Sequence, residues 1–284
     1  MKKNFSRVLT VAGVLGCCLL FSIGTASAAV TGTLATGSSG GVSATITSIT
    51  FSSDPAALGG TNFACPAGGI CDADVSTATS GSLKFAGCAS GILGSSPGCL
   101  SAAEGIDVNS PITASSIGES NFLTFSNNSN LVYSLLGIAT YTNASCTGLS
   151  VGESCVVYPG AALQLTLEAG NTTQVTLSVN GKASDSGVAG LASGSNYNGG
   201  FTELLTGPLP NGMAPTPANI QFFFCGTNSV TSIAQCNPNV TLTETSNSGN
   251  FTASAVPEPS SVEMTVMGIG LILAGALARR FRHS

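Results

Sequence analysis

The chain has 284 residues, 43% of them hydrophobic and only 7% charged, with 36 Gly, a single His and no Trp. Between residues 29 and 259 only Lys84 and Lys182 are basic, against twelve carboxylates, a net charge of −10. That body lacks the basic footprint a nucleic-acid binder needs. The one imidazole, His283, is the penultimate residue, so the body can hold neither a Ser-His-Asp or Cys-His site nor a His-ligated metal.

Residues 1–28 read as an export signal. Lys2, Lys3 and Arg7 form a positive start, Val8 to Ile23 an apolar stretch, and Ala26-Ser27-Ala28 the small residues a signal peptidase accepts. The expected cut falls between Ala28 and Ala29, after passage through the Sec export machinery. A lipoprotein signal competes, because Gly16 precedes Cys17, but Val14-Leu15 fits it poorly and Leu19-Leu20-Phe21 carry the apolar run past the cysteine. Cys17 and Cys18 then leave with the signal.

Residues 29–255 predict an all-β body, an antiparallel β-sandwich. Leu163-Gln164-Leu165-Thr166-Leu167-Glu168-Ala169 and Val175-Thr176-Leu177-Ser178-Val179 alternate apolar and polar residues and read as a hairpin with one wet and one dry face. Val42 to Phe51, Phe122 to Phe125, Leu131 to Tyr141, Ile220 to Phe224 and Val240 to Thr243 are further strand candidates. Phe222-Phe223-Phe224 reads as a buried strand covered on both sides. No helical stripe is visible between residues 30 and 255. Residues 30–40 and 244–256 read as loose, and 186–200 as a long surface loop.

The body's eight cysteines fall into four close pairs: Cys65/Cys71, Cys88/Cys99, Cys146/Cys155 and Cys225/Cys236. Export places them in an oxidising compartment, which makes disulfides the leading reading. Eight cysteines allow 105 connectivities. Local pairing would clip Gly-, Ser- and Pro-rich loops, each closure stabilising the fold by roughly 2–3 kcal/mol in the chain-entropy model. A zinc site competes poorly, for want of a Cys-x-x-Cys knuckle and of any body histidine.

Asp72-Ala73-Asp74 offers oxygens to Ca²⁺, but a site needs six to eight and no loop has the regular acidic spacing that supplies them; a solvated acidic turn is the simpler reading. Glu104 and Asp107 are the carboxylates to weigh for sugar cleavage, yet no Trp and only four Tyr are present to line a cleft. Of Tyr133, Tyr141, Tyr158 and Tyr197, the last lies in the loose segment where it could stack on a sugar ring, while strand tyrosines are more often half-buried in a core. Asn143, Asn171, Asn239 and Asn250 open Asn-x-Ser/Thr sequons that arise by composition.

The last 29 residues read as three parts: Val256-Pro257-Glu258-Pro259-Ser260-Ser261, an expected membrane-spanning helix over 262–278 and a basic tail over 279–284 with Arg279, Arg280 and Arg282. The apolar run from Met264 to Ala278 spans only about 23 Å as a helix, so Val262 and the arginine stems must reach outward to match a ~30 Å hydrocarbon core. The arginines should stay cytoplasmic, leaving residues 29–261 outside the inner membrane. An ordinary short tail anchor, or a buried core helix that happens to end in arginines, is the plain alternative.

This tripartite end, VPEPSS, apolar segment and ARRFR, resembles the PEP-CTERM sorting signal of exported proteins of Gram-negative bacteria. The resemblance implies recognition of Pro257, Glu258 and Pro259 by an exosortase, a membrane cysteine transpeptidase-like enzyme, and release to or fixation at the cell surface. It also implies a cell that makes exopolysaccharide. The expected role is structural or adhesive, in the envelope or a biofilm matrix, with no catalytic site and no cofactor. A carbohydrate-binding module for exopolysaccharide is the alternative, and a secreted glycoside hydrolase the third reading.

Overall fold

A computed structural model of the chain describes residues 30, 32–38, 41–52, 72–75, 105–126, 128–187, 194–244 and 247–254. All lie within one compact unit, Ala28–Ala255. The strands, in chain order, are β1 (Gly32–Ser38), β2 (Val42–Ala44), β3 (Ile49–Phe51), β4 (Ala73–Val75), β5 (Gly105–Val108), β6 (Leu123–Phe125), β7 (Leu131–Ile138), β8 (Ser154–Val156), β9 (Leu163–Glu168), β10 (Thr172–Asp185), β11 (Ser195–Leu205), β12 (Leu242–Glu244) and β13 (Asn247–Ser254). One α-helix, α1 (Pro217–Cys225), follows β11.

The antiparallel β class is as the alternation predicts. The strands do not divide into the two facing sheets of a sandwich, however. Ten strands form one curled sheet, β11-β13-β1-β4-β5-β6-β7-β10-β9-β8, and β10 pairs with β11 as well. The pairings therefore run in a closed antiparallel ring from β10 through β11, β13, β1, β4, β5, β6 and β7 back to β10. The long strand β10 makes this possible. It pairs with β11 along one edge (Thr173↔Leu205 to Ala183↔Ser195), and its other edge is shared between β9 and β7. A register shift between Asn180 and Gly181 marks the irregularity on the β7 side, as expected where a sheet bends. A separate three-stranded sheet, β12-β2-β3, lies beside it.

Two parts of the chain expected to be loose are strands. β1 falls in residues 30–40 and β13 in 244–256, and they pair from Gly32↔Ala253 to Ser38↔Asn247. β13 alternates strictly between buried and exposed positions, but its buried positions include Asn247 and Gly249, so apolar counting misses it. The expected surface loop 186–200 gives way to β11 from Ser195 onward, and Val42 to Phe51 is two strands joined by a turn at 45–48.

Ile220 to Phe224 is helical, not extended. Thr216 caps the helix by accepting from the Asn219 N–H at 3.3 Å, Pro217 occupies the first turn, and Gly226 ends it at φ 68° with its N–H bonded to Phe222 O. Phe224 is buried and Phe222 is 46% exposed, because three consecutive positions on a helix point in three directions. Gln221 pins α1 in place: its Nε2 donates to Ala144 O at 2.8 Å and to Val157 O at 3.0 Å.

The inside of the ring is filled by Leu34, Ile106, Phe122, Phe125, Tyr133, Leu135, Tyr197, Phe201 and Phe251, among others. Its aromatic members touch in series, Phe51–Phe201 at 4.7 Å, Phe201–Phe251 at 5.1 Å, Tyr197–Phe251 at 6.0 Å and Tyr133–Tyr197 at 5.0 Å between ring centroids. These tilted and edge-on contacts are the preferred geometry for aromatic pairs. A second core gathers α1, β8, β9 and the Cys146–Cys155 and Cys225–Cys236 disulfides, through Leu165, Leu205, Ile220 and Phe224.

Asp72 is buried just before β4, its Oδ2 accepting from the Val108 N–H at 3.3 Å. Burial, opposed by that hydrogen bond and aided by neighbouring Asp107, raises its pKa to about 6; burial raises Asp107 as well. A carboxyl that holds its proton more tightly when folded adds stability at low pH and loses it as pH rises through 6. The melting temperature of the wild type minus that of Asp72→Asn should therefore fall by several degrees between pH 4 and pH 7, read by circular dichroism.

Candidate functional site

The alternation that fills the ring with aromatics sends every second residue of its four longest-paired strands outward. The register aligns these residues in rows across β1, β13, β11 and β10. Thr33, Thr252, Asn198 and Asn180 form one row, Ala35, Asn250, Gly200 and Ser178 the next, then Gly37, Ser248, Thr202 and Thr176. Ser254, Asn196 and Lys182 extend the face beyond the first row. Lys182 is the one charged side chain in these rows. Adjacent strands stand ~4.8 Å apart and successive outward residues ~6.8 Å along each strand. The result is a grid of hydroxyls and amides with almost no charge.

Some of these groups bond to one another across strands. Thr33 Oγ1 lies 3.3 Å from Thr252 Oγ1, and Thr202 Oγ1 lies 2.9 Å from Ser248 Oγ. Asn196, Asn198, Asn250, Thr252 and Ser254 are exposed. On the far side of β10 the face continues through Gln164 of β9, opposite Thr176, into a shallow pocket of about 290 Å³. Thr140, Tyr141, Thr142, Asn143, Ser154 and Gln164 line it. Tyr141 leans over it with its hydroxyl donating to Ser178 Oγ at 3.0 Å. Asn143 is held by donation to Ser154 O at 2.9 Å. Such a surface can give and take neutral hydrogen bonds, with Lys182 its one charged group.

The tyrosines take the structural role expected of strand tyrosines, with Tyr197 in a strand and not in the expected loop. Tyr197 is 1% exposed and donates to Ser134 O at 3.1 Å. It is a core residue, because it occupies an inward position of β11 and not a loop. Tyr133 is equally buried, and burial raises both phenols above their ordinary range. Tyr158 is half-buried and donates to Ile46 O at 3.2 Å. Asn143, Asn171, Asn239 and Asn250 are all exposed.

Of the four close cysteine pairs, the structure bonds Cys146 to Cys155 and Cys225 to Cys236. Cys65, Cys71, Cys88, Cys99 and Glu104 lie outside the described residues, as do Ala28, Ala29 and everything from residue 255 onward. Asp72 is a buried acceptor, not part of a solvated turn, and Asp107 is half-buried beside it. No group of metal-ligating side chains occurs among the described residues. No helix among them is long and apolar enough to cross a membrane, and the expected span at 262–278 is not among them.

The end of the chain decides what the strands do not. Residues 255–282 match the model of the PEP-CTERM protein-sorting motif. The chain carries a PEP-CTERM sorting motif. That motif implies an exported protein with an exosortase as its processing partner. The match covers Pro257, Glu258, Pro259, Arg279, Arg280 and Arg282, and leaves the body untouched. No curated protein and no solved structure matches the chain, so the role of the PEP-CTERM protein's body is argued from its own residues.

Proposed function

We propose that the body of this exosortase-sorted protein is a non-catalytic, adhesive component of the cell surface or extracellular matrix, which holds neutral polysaccharide along its polar outer face. The observation that carries the reading is the uncharged grid on β1, β13, β11 and β10. A polysaccharide chain presents hydroxyls at short, regular intervals. A regularly spaced array of Ser, Thr and Asn side chains meets them with many weak hydrogen bonds, each worth ~0.5–1.5 kcal/mol net. Affinity then grows with the length of polymer engaged. The acidic remainder of the body favours solubility during export. The signal at 1–28 and passage across the inner membrane complete this reading, with release after the tail has been processed.

Retention on an immobilised neutral glucan tests it. Asn198→Asp combined with Asn250→Asp removes two amide donors and adds charge at exposed positions. It should weaken retention roughly thirtyfold, from about 1 kcal/mol per lost bond, while leaving the melting temperature within a degree or two. Unchanged retention of that variant would sink the polar-grid reading.

A defined carbohydrate-binding module is the second reading, favoured by the pocket around Tyr141. Under it, Tyr141→Ala with Gln164→Ala abolishes binding of a soluble disaccharide that the grid variant still binds.

A further inference from the structure

A second cleft, of about 310 Å³, opens beside the β2–β3 turn and has the opposite chemistry. Its walls are isoleucine-rich: Ile46 and Ile49 from the small sheet, Ile112 and Ile117 from the segment after β5, and Ile138 at the end of β7. Leu177 of β10 adds to them. Ile233 completes the mouth from the loop closed by the Cys225–Cys236 disulfide. Ile117 and Ile233 are 47% and 41% exposed, a cost in water that an occupant would remove.

The polar groups around the cleft are mostly committed to the protein itself. Thr45 Oγ1 accepts from the N–H groups of Thr47 and Ser48 at 3.2 and 3.1 Å and lies 2.9 Å from Ser48 Oγ. Thr113 Oγ1 lies 2.7 Å from Ser115 Oγ, and the Tyr158 hydroxyl is spent on Ile46 O. Ile49 and Ile112 exchange backbone hydrogen bonds at 3.0 and 2.7 Å. Thr47 and Thr140, both exposed, keep free hydroxyls among the described residues. No lining residue is charged. An ion would lose water there and gain no counter-charge.

We propose that this cleft binds an uncharged amphiphile: a short hydrocarbon chain lying among the isoleucines, with one hydroxyl or carbonyl head at Thr47 and Thr140. The cleft shares Thr140 with the Tyr141 pocket but none of the residues in the grid's rows, and it stands whether or not the glycan reading does.

The walls supply their own reporters. Full-length protein labelled at isoleucine δ1 methyls is titrated with 1-octanol and followed by NMR. Ile112, Ile117, Ile138 and Ile233 should shift together and saturably, while Ile106 and Ile220, which do not line the cleft, stay in place. Ala114→Phe fills the mouth from an exposed position and should weaken binding at least tenfold. Octanoate at pH 8 should bind at least tenfold more weakly than the alcohol. The proposal is overturned by shifts confined to Ile269 and Ile272 of the tail, by equal binding in Ala114→Phe, or by octanoate binding as tightly as octanol. It is also overturned if the same methyls move with protein concentration alone, for the cleft would then be filled by a second copy of the chain.

Discussion

Replacing Pro257 and Glu258 together by alanine is expected to abolish processing of the tail almost completely. Proline has no backbone N–H and a fixed φ, so Pro257 and Pro259 are expected to disfavour helix at the motif, as an enzyme that reads an extended segment would need. Alanine at 257 restores a backbone donor and a helix-compatible φ, and the loss of Glu258 removes the one charge between the prolines. The uncleaved precursor should collect in the membrane fraction, longer by the tail than the wild-type product on an immunoblot. Normal processing of the double variant would reject Pro257, Glu258 and Pro259 as the recognition element. Because residue 257 lies beyond β13, the body should keep its wild-type circular dichroism spectrum.

Tyr197→Ala is expected to have the largest effect on the body itself, roughly 3–5 kcal/mol of lost stability. Its ring touches Tyr133 and Phe251 at 5.0 and 6.0 Å, and its hydroxyl holds Ser134 O across β10. Gly181, at the register shift of β10, exists to make room for it: a Cβ there would collide with Ser134 O and with the Tyr197 ring. Truncating the tyrosine leaves a large void beside the register shift of β10. Against net stabilities of 5–15 kcal/mol, that loss should appear as a urea midpoint shifted far down, or as failure to accumulate. Tyr197→Phe keeps the packing and should cost only about 1 kcal/mol. If Tyr197→Ala folds normally and only loses sugar binding, the residue belongs to a surface site after all.

The contrast between these two residues shows where the sequence is a sufficient guide. The β9–β10 hairpin is legible because Leu163, Leu165 and Leu167 alternate with polar residues and its turn uses Gly170 and Asn171, both at positive φ. The extreme C-terminus is legible for a different reason: proline, an apolar run and arginine in fixed order need no tertiary context. β1, β11 and β13 are hidden because their inward positions are shared with Thr36, Ser195, Asn247 and Gly249, so aromatic residues such as Tyr197 and Phe251 look isolated in Gly- and Asn-rich surroundings. The helix α1 carries its own signals in Thr216-Pro217 and Gly226, but three adjacent phenylalanines outweigh them in any reading based on strand preference. The hydroxyl grid is a property of register, since Thr33, Thr252 and Asn198 meet only after three strands have paired. It is invisible until the ring is built.

The account rests on the tail being a processed address and not an anchor. The most direct test is the intact mass of the protein recovered from cells that contain an exosortase and from matched cells that lack one. The account predicts a C-terminus cut at or near Pro257 in the first and an uncut tail through Ser284 in the second. The same uncut C-terminus in both would contradict it.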